Sequence, residues 1–224
     1  MQPQIFRADL HIHTRYSFDS IVRPENAILQ ARKIGMNAIA VTEHNNTDSW
    51  KTMQELSKKH DFPVILGEEI KTFMDGQRTG EVTGLFLTAK IKSSHPMYVI
   101  DEIRSQGGLV VIPHPFDHAR QALQNPEKYV KKIHGIEVLN SRTKKENNEK
   151  ALAFAEKYGL AQIGGSDSHS TREIGRAWTE AEATTLEEFR KVIEKGKTKA
   201  FGRTSGMWVK TISTVAKTGL IGRV

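Results

Sequence analysis

The feature of this sequence that most constrains its fold is a pattern in which an apolar run ends in side chains that can bind a metal ion. The pattern occurs five times in 224 residues, and the terminal side chains are His11 with His13, Glu43 with His44, Glu68 with Glu69, His114, and Asp167 with His169. Short apolar runs between turn residues are typical of buried strands. Because the carboxyl ends of parallel strands meet at one edge of a sheet, we expect these side chains to surround a single site.

The first run ends in Asp9-Leu10-His11-Ile12-His13 and puts two histidines on one face of a strand. Successive side chains of a strand point to opposite faces, so His11 and His13 can bind one ion together. Such a pair is a weak indication when it stands alone, because so short a motif often arises by chance. The four later runs give it weight, since chance does not repeat a residue type at the same structural position.

The segments between the runs have the spacing of amphipathic helices. The first predicted helix begins at Pro24 and ends at Gly35. We expect its buried stripe at Ala27, Ile28, Ala31 and Ile34. Side chains of residues 45–47 are expected to cap a second helix that continues to about His60.

Two later helices are also predicted. One begins near Lys145, ends at Gly159 and is expected to bury Ala151, Leu152, Ala155 and Tyr158. The other follows the sequence Thr185-Leu186-Glu187-Glu188, which is a capping box.

Strands that alternate with helices indicate a parallel sheet, and polar groups at the ends of many strands favour a closed barrel over an open sheet. An open doubly wound sheet would concentrate its site at one switch point. One interruption is expected, because Asp75-Gly76 marks a turn and residues 82–88 read as a further strand, which together predict a local hairpin.

Composition excludes several classes of protein. The chain has no cysteine, so disulfides, zinc fingers and iron–sulfur clusters are impossible and any metal must be held by His, Asp and Glu. No apolar run approaches the roughly 20 residues that span a bilayer, and residues 1–4 lack the pattern of a signal peptide. We therefore expect a cytoplasmic protein that makes no membrane contact.

The net charge of +7 is concentrated in one part of the chain. The whole sequence holds 33 basic and 26 acidic residues, and residues 190–224 hold nine of the basic ones and a single acid, Glu194. The first 189 residues are left with 24 basic and 25 acidic residues, so the body of the protein is nearly balanced. A solvated terminal helix accounts for this distribution, and contact with a phosphate backbone or a partner is the alternative.

Eight side chains are candidate metal ligands: His11, His13, Asp19, His44, Glu69, His114, Asp167 and His169. Imidazole with carboxylate suits Zn²⁺, Mn²⁺ or Fe²⁺ better than calcium, which prefers oxygen alone. Eight ligands exceed the three or four that one catalytic ion takes from a protein. Two or three ions therefore share the site, and we expect the carboxylate of Glu69 to bridge two of them.

Five motifs together resemble the polymerase and histidinol phosphatase (PHP) family. They are residues 11–19 (HIHTRYSFD), 42–44 (TEH), 67–70 (GEEI), 112–115 (IPHP) and 165–169 (GSDSH), and they occur in the family's order between residue 9 and about residue 180. The resemblance implies an α/β fold, a distorted seven-stranded (β/α) barrel with its metal site at the carboxyl ends of the strands. We expect one PHP-like domain over residues 1–224, with its core at about 5–200 and a basic extension at about 201–224.

The resemblance also implies which residues share each ion. One ion would be held by His11, His13, Glu69 and Asp167, a second by Glu69 and His114, and a third by Asp19, His44 and His169. Many members of the family have a further histidine for the second ion, whereas the comparable stretch of this chain offers Thr83. Glu81 or water would then have to complete that site.

Several assignments have alternatives. Asp19 could cap its own loop, and Glu68 could be the bridge in place of Glu69. Asp9 and Glu43 are expected to orient neighbouring histidines rather than to touch metal. The guanidinium of Arg142, which follows a strand, could bind a substrate phosphate and is the candidate catalytic residue outside the metal ligands. Arg15, Arg120 and Arg176 are further candidates for that contact.

The leading hypothesis for function is the metal-dependent hydrolysis of a small phosphomonoester or nucleotide by metal-bound hydroxide, at two or three divalent ions. One alternative is a phosphoesterase of oligonucleotides or DNA ends that uses the basic tail, although nucleic acid is not the favoured partner. Another is a metal-stabilised binding module without activity, which Thr83 suggests. The sequence does not indicate an oligomeric state.

Overall fold

The computed structural model describes residues 4–120 and 122–205, which form nine strands and five α-helices. The strands are β1 (Ile5–Ile12), β2 (Ala38–His44), β3 (Val64–Met74), β4 (Gln77–Leu85), β5 (Leu109–Ile112), β6 (Gly135–Asn140), β7 (Ala161–Gly165), β8 (Ala177–Glu182) and β9 (Lys199–Gly202). The helices are α1 (Pro24–Lys33), α2 (Trp50–His60), α3 (Pro96–Ser105), α4 (Lys145–Tyr158) and α5 (Leu186–Glu194). Two short 3-10 helices, His118–Arg120 and Pro126–Tyr129, lie between β5 and β6.

The strands form one mixed sheet that curls into a nearly closed barrel. Its order is β7-β6-β5-β4-β3-β2-β1-β8-β9, and β4 runs antiparallel to both of its neighbours. The carboxyl ends of β1 and β7 meet, because the amide of Asp167 donates to the carbonyl of His11 at 2.7 Å and that of His13 donates to Ser168 at 3.1 Å. β8 also links these two strands. It pairs antiparallel with β1, and the hydroxyl of its Thr179 accepts a hydrogen bond of 2.9 Å from the amide of Gly164 in β7. The predicted distorted seven-stranded barrel is confirmed in β1 to β7.

One apolar cluster fills the interior of the barrel, since it contains side chains from strands all around the sheet. These include Phe6 of β1, Ile65 of β3, Val111 of β5 and Ile163 of β7. The ring of Phe189 in α5 stacks on Phe6 at a centroid distance of 4.8 Å, so α5 covers the amino ends of the strands. The metal-capable residues are therefore left at the opposite, carboxyl end.

The helices are close to those predicted, with differences in which side chains they bury. Ala27, Ile28 and Ala31 are buried as expected, but Ile34 lies beyond the last residue of α1 and is 38% exposed. In α4 the buried face is centred on Ala151 and Ala155, so it includes Phe154 and leaves Leu152 37% exposed.

Two capping predictions have opposite outcomes. The expected caps at residues 45–47 are wrong, since α2 begins after Ser49 without a side-chain cap. The box before α5 is confirmed at its N-cap, because the hydroxyl of Thr185 accepts from the amide of Glu188 at 3.1 Å. Its second half is shifted by one residue, since the carboxylate of Glu188 accepts from the amide of Thr184 at 2.8 Å.

The predicted hairpin is confirmed as β3 and β4, which pair antiparallel around the turn at Asp75 and Gly76. β3 continues to Met74, well past Glu69, where the sequence suggested that it would end. β8 and β9 were not anticipated. The start predicted for the basic extension falls within β9, and most of that extension, including the basic Lys210, Lys217 and Arg223, lies outside the described residues. Within residues 4–120 and 122–205, no helix has the length and apolar character needed to cross a membrane.

Candidate metal centre

All eight candidate ligands lie together at the carboxyl end of the barrel. β1 supplies His11 and is followed by His13 and the loop residue Asp19, β2 supplies His44, β3 supplies Glu69, and the segments after β5 and β7 supply His114, Asp167 and His169. Seven of the eight are buried, and the side chain of His44 is 11% exposed. The predicted convergence is therefore found, and the identity of these residues as metal ligands stays a prediction.

Three pairs of ligand atoms around the first predicted ion have the spacing that a metal requires, while His11 Nε2 and His13 Nε2 are closer, at 3.0 Å. His13 Nε2 is 3.5 Å from both Glu69 Oε2 and Asp167 Oδ1, and His11 Nε2 is 3.4 Å from Glu69 Oε1. Bonds of about 2.1 Å in a tetrahedral site separate ligand atoms by roughly 3.4 Å, which is beyond ordinary hydrogen-bond length. Asp167 Oδ1 is buried and makes no hydrogen bond among the described residues. The four side chains fit a cation between them.

The third predicted group has the same spacing. Asp19 places one carboxylate oxygen 3.4 Å from His44 Nε2 and the other 3.3 Å from His169 Nε2. The rings of His13 and His44 stack with centroids 4.2 Å apart, so this group adjoins the first one. Asp19 therefore faces two imidazoles.

Glu69 lies between all of these groups. One of its oxygens is 2.9 Å from His114 Nε2, and the other is 2.8 Å from His44 Nδ1. The neighbouring Glu68 points to the outer face, where it accepts a hydrogen bond of 3.0 Å from the amide of Ile91. Glu69 is thus the only one of the two that can bridge ions in this site.

The second predicted ion has His114 but lacks the further histidine that many family members provide, and a second carboxylate, Glu81, lies near it. Glu81 Oε2 is 3.4 Å from His114 Nε2, and Arg78 holds the other oxygen of Glu81 at 2.6 Å. Thr83 lies opposite Glu69 in the β3–β4 register, and its buried hydroxyl finds no hydrogen-bond partner in the part of the chain that is described. Glu81 is therefore better placed than Thr83 to serve as a ligand. Its carboxylate, the carboxylate of Glu69 and the imidazole of His44 each have a potential ligand atom within 4.8 Å of the other two.

Glu137 contacts two of the candidate ligands, although the sequence alone did not single it out. It is buried in β6, and its Oε1 is 3.0 Å from His11 Nδ1, while Oε2 accepts from the amide of His114 at 2.7 Å. A carboxylate on Nδ1 fixes the tautomer that leaves Nε2 free to bind a metal. The available signal was a single charged residue within an apolar strand, Gly135-Ile136-Glu137-Val138-Leu139.

Asp9 and Glu43 do not have the predicted role of orienting histidine rings. Asp9 accepts from the amides of Ser166 at 2.9 Å and Gly175 at 2.8 Å. Glu43 faces away from His44, because adjacent strand residues point to opposite sides, and it accepts from the hydroxyls of Thr14 and Ser17. Both carboxylates hold the loops that carry the site.

Two arginines reach the site by different routes. Arg142 is buried, with Nη1 2.6 Å from His169 Nδ1 and Nε 3.4 Å from Glu173 Oε1. Arg120 forms an ion pair with Asp167 Oδ2 and donates to Asn140 Oδ1 at 3.2 Å, and its side chain is 25% exposed. Contact of Arg142 with a substrate stays a prediction, and Arg120 is the one of these two with more access to solvent.

The charges of the site are strongly coupled. Burial opposes ionisation of Glu69, but the imidazoles of His11 and His44 hold its pKa well below the usual range. Burial lowers the pKa of His44, and the carboxylates of Glu69 and Asp19 outweigh it and raise that pKa to about 10. Burial and the charges of His44 and His169 lower the pKa of His13 to about 3. The site thus keeps ionised carboxylates, which suit cations.

The backbone is strained at two of the candidate ligands. His114 has φ of 28° and Asp167 has φ of 53°, and each lies two residues beyond the end of a strand. Such left-handed conformations cost about 1 kcal/mol or more in non-glycine residues, and they cluster at functional sites. Both strained residues belong to the candidate metal centre.

Comparison with known proteins gives consistent results. Residues 145–198 match the sequence family described as PHP-associated. The chain is 35% identical over 191 residues to the uncharacterized protein MJ0417 of Methanocaldococcus jannaschii, across 81% of this chain and 73% of that protein. It is also 38% identical over 71 residues to a PolC-type DNA polymerase III of Oceanobacillus iheyensis, across 31% of this chain and 5% of the polymerase.

A solved structure has the same fold. It is a two-domain protein of Bacteroides vulgatus that contains a predicted PHP-like metal-dependent phosphoesterase, and it superimposes with a TM-score of 0.75 at 23% identity. The match covers 90% of this chain and 66% of that one.

Proposed function

This chain belongs to the polymerase and histidinol phosphatase (PHP) family, and from that premise we propose that it hydrolyses phosphoesters with two or three divalent metal ions. The observation that carries the proposal is the position of Glu69, whose two oxygens lie among the imidazoles of His11, His13, His44 and His114. A buried carboxylate in this place has the geometry of a bridging ligand. The donor set is nitrogen and oxygen only, which suits Zn²⁺, Mn²⁺ or Fe²⁺.

Bound ions of this kind lower the pKa of a coordinated water and neutralise charge that develops on a phosphoester. The protein's own residues hold the ligands in place. Glu137 fixes the ring of His11, and the side-chain Nδ2 of Asn140 donates to Asp167 Oδ2 at 2.9 Å. We assign Glu81 as the ligand that completes the second ion with Glu69 and His114, because its oxygen already lies 3.4 Å from the His114 nitrogen.

The arginines are assigned to the phosphate. Arg120 is paired with Asp167 but partly exposed, so its guanidinium can turn to a phosphate oxygen when Asp167 binds a cation. Arg142 contacts Nδ1 of His169 and supports that imidazole. Its direct contact with the substrate phosphate is a proposal that rests on the sequence alone. Guanidinium groups bind phosphate through paired hydrogen bonds, which fixes the orientation of the group.

A small phosphomonoester is the proposed substrate. The ligands are buried, and His44 and Arg120 are among the few site residues with solvent access, at 11% and 25% side-chain exposure. A terminal phosphate fits such a recessed site more easily than the middle of a duplex does. The proposed reaction is therefore removal of a terminal phosphate.

The test is hydrolysis of an aryl phosphate by protein loaded with Mn²⁺, Zn²⁺ or Fe²⁺, compared before and after chelation. We expect turnover that chelation abolishes and metal restores. Glu69→Gln should lose at least a hundredfold in rate, while Glu182→Gln, an exposed carboxylate on β8, should not change it. Metal content is measured alongside. Full metal loading without chelator-sensitive turnover on any phosphoester would favour a binding module instead.

A further inference from the structure

A groove on the side of the barrel is lined by arginine and aromatic side chains. It has a volume of about 630 Å³, and none of the eight candidate metal ligands lines it. We call it the arginine groove, and its polar and aromatic walls are formed by Arg7, Arg172, Arg176, Arg203, Trp178 and Phe201. A cavity of this size is in the range that binds small molecules.

Two glycines allow the groove to form. A Cβ on Gly202, which has φ of 130°, would overlap the carbonyl oxygen of Arg176, so only glycine lets the end of β9 approach the start of β8. The amide of Arg203 then donates to the carbonyl of Arg176 at 2.8 Å, which places these two arginines side by side. A Cβ on Gly175 would likewise overlap Ile34, which forms part of the groove floor.

The positive charge of the groove is not balanced by the protein. Arg7 is paired with Glu180 at 2.8 Å, but Arg172, Arg176 and Arg203 form no ion pair with any residue of the described chain. No acidic side chain lines the groove. Three unpaired guanidinium groups around one cavity repel each other, and a bound anion would relieve that repulsion.

The aromatic residues offer a flat apolar surface beside these charges. Phe201 is 41% exposed, and its ring stacks on Trp178 with centroids 6.3 Å apart and planes inclined by 23°. Trp178 is held in place because its indole nitrogen donates to Glu180 at 2.9 Å. Aromatic side chains of this kind stack on bases, and arginine binds phosphate.

We propose that the arginine groove binds a nucleoside phosphate, either free or as part of a single-stranded nucleic acid, with the phosphate on Arg172, Arg176 and Arg203 and the base on Phe201. The near-neutral charge of residues 1–189 concealed this local excess of arginine. His169 of the candidate metal centre is three residues from Arg172, which limits their Cα separation to about 11 Å. A strand in the groove would therefore begin close to the metal centre.

The charge of residues 206–224 argues against them as the occupant of the groove. Residues 206–224 contain Lys210, Lys217 and Arg223 and no acid, so they would add positive charge to the three unpaired arginines. Charge complementarity favours a separate anionic ligand.

The test is binding of fluorescein-labelled AMP and of a labelled single-stranded 12-mer to the metal-loaded protein of residues 1–224, followed by fluorescence anisotropy. The groove variant is Arg172→Ala with Arg203→Ala, and the control is Arg23→Ala with Lys131→Ala, which removes the same charge at exposed positions elsewhere. Both variants keep residues 206–224, so any contribution of the basic tail is constant. Hydrolysis of an aryl phosphate is measured in each variant to verify that the metal centre is intact.

We expect the groove variant to weaken binding at least tenfold and to reduce the salt dependence of binding to the 12-mer by about 1.4 in log–log slope, since each lost phosphate contact on a single strand removes ~0.7. The affinity of the control variant should stay within twofold of the unmodified protein.

Phe201→Ala should weaken binding of AMP and leave the affinity for inorganic pyrophosphate unaffected. Equal affinity per nucleotide for AMP and the 12-mer identifies the nucleotide as the ligand, and preference for the 12-mer identifies a strand. Equal loss in groove and control variants, or absence of binding to both probes, would overturn the proposal.

Discussion

The imidazole of His11 is held by the carboxylate of Glu137, a residue 126 positions further along the chain, at 3.0 Å between Nδ1 and Oε1. The other oxygen of Glu137 accepts from the amide of His114, so one carboxylate positions two candidate ligands from opposite parts of the barrel. Four of our predictions concern this arrangement and the ions that it serves.

Glu137→Gln should lower metal affinity by about 10- to 100-fold, the usual effect of losing a partner that orients a ligating histidine. An amide presents one oxygen and one NH₂ group, so it cannot accept from both His11 and the amide of His114. Competition with a chromophoric chelator measures the affinity. Glu182→Gln is the control, and unchanged affinity in the Glu137 variant would show that the ring of His11 does not depend on this contact.

Gly165→Ala should also disrupt the contact between Glu137 and the imidazole of His11. A Cβ at this position would overlap Glu137 Oε1 and lie 2.5 Å from His11 Cβ. We expect a loss of about 1–3 kcal/mol in the free energy of unfolding, as for overpacking of a core, together with weaker metal binding.

The matched control for that variant is Gly76→Ala, at a turn with φ of 75° and open space around it. It should cost about 1 kcal/mol through backbone strain and leave metal affinity unchanged. Urea unfolding and chelator competition separate the two effects. Metal affinity that falls equally in both variants would contradict the role given to Gly165.

Metal binding should release protons and strengthen as the pH rises. Burial lowers the pKa of His44, but the carboxylates of Glu69 and Asp19 outweigh burial and raise that pKa to about 10. His44 is therefore protonated at neutral pH and must lose that proton to bind an ion, so the affinity rises by up to tenfold per pH unit below a pH of about 10.

Calorimetric titrations near pH 8 in two buffers with different heats of ionisation give the number of protons released. We expect at least one per chain, and His44→Asn should reduce the number. Equal heats in the two buffers would show that no proton is exchanged and that His44 is already neutral.

Glu81→Gln should remove or weaken one ion while leaving the others bound. The carboxylate of Glu81 is the proposed ligand beside Glu69 and His114, where Thr83 offers only a hydroxyl. Metal content per chain after equilibrium dialysis is the readout, and Glu127→Gln, which changes an exposed carboxylate, is the control. An unchanged metal content at limiting metal would exclude Glu81 as a ligand.

Much of this arrangement could be read from the sequence because it depends on local patterns. The five apolar runs predicted strands, and their terminal residues converge because parallel strands end at the same edge. The hairpin of β3 and β4 followed from the turn at Asp75-Gly76. The exposure of Ile34 did not follow, because it depends on α1 ending one residue earlier than the periodicity suggests.

The sequence by itself determined the chemistry of this protein: which residues can bind metal, the absence of cysteine, and the barrel that collects those residues, since these depend on residue type and on period along the chain. Only the tertiary structure decided the support of His11 by Glu137, the approach of Glu81 to His114, and the clustering of three unpaired arginines beside Phe201. Each of these is a contact between segments distant in sequence, and such contacts are fixed by the closure and twist of the sheet rather than by any local pattern.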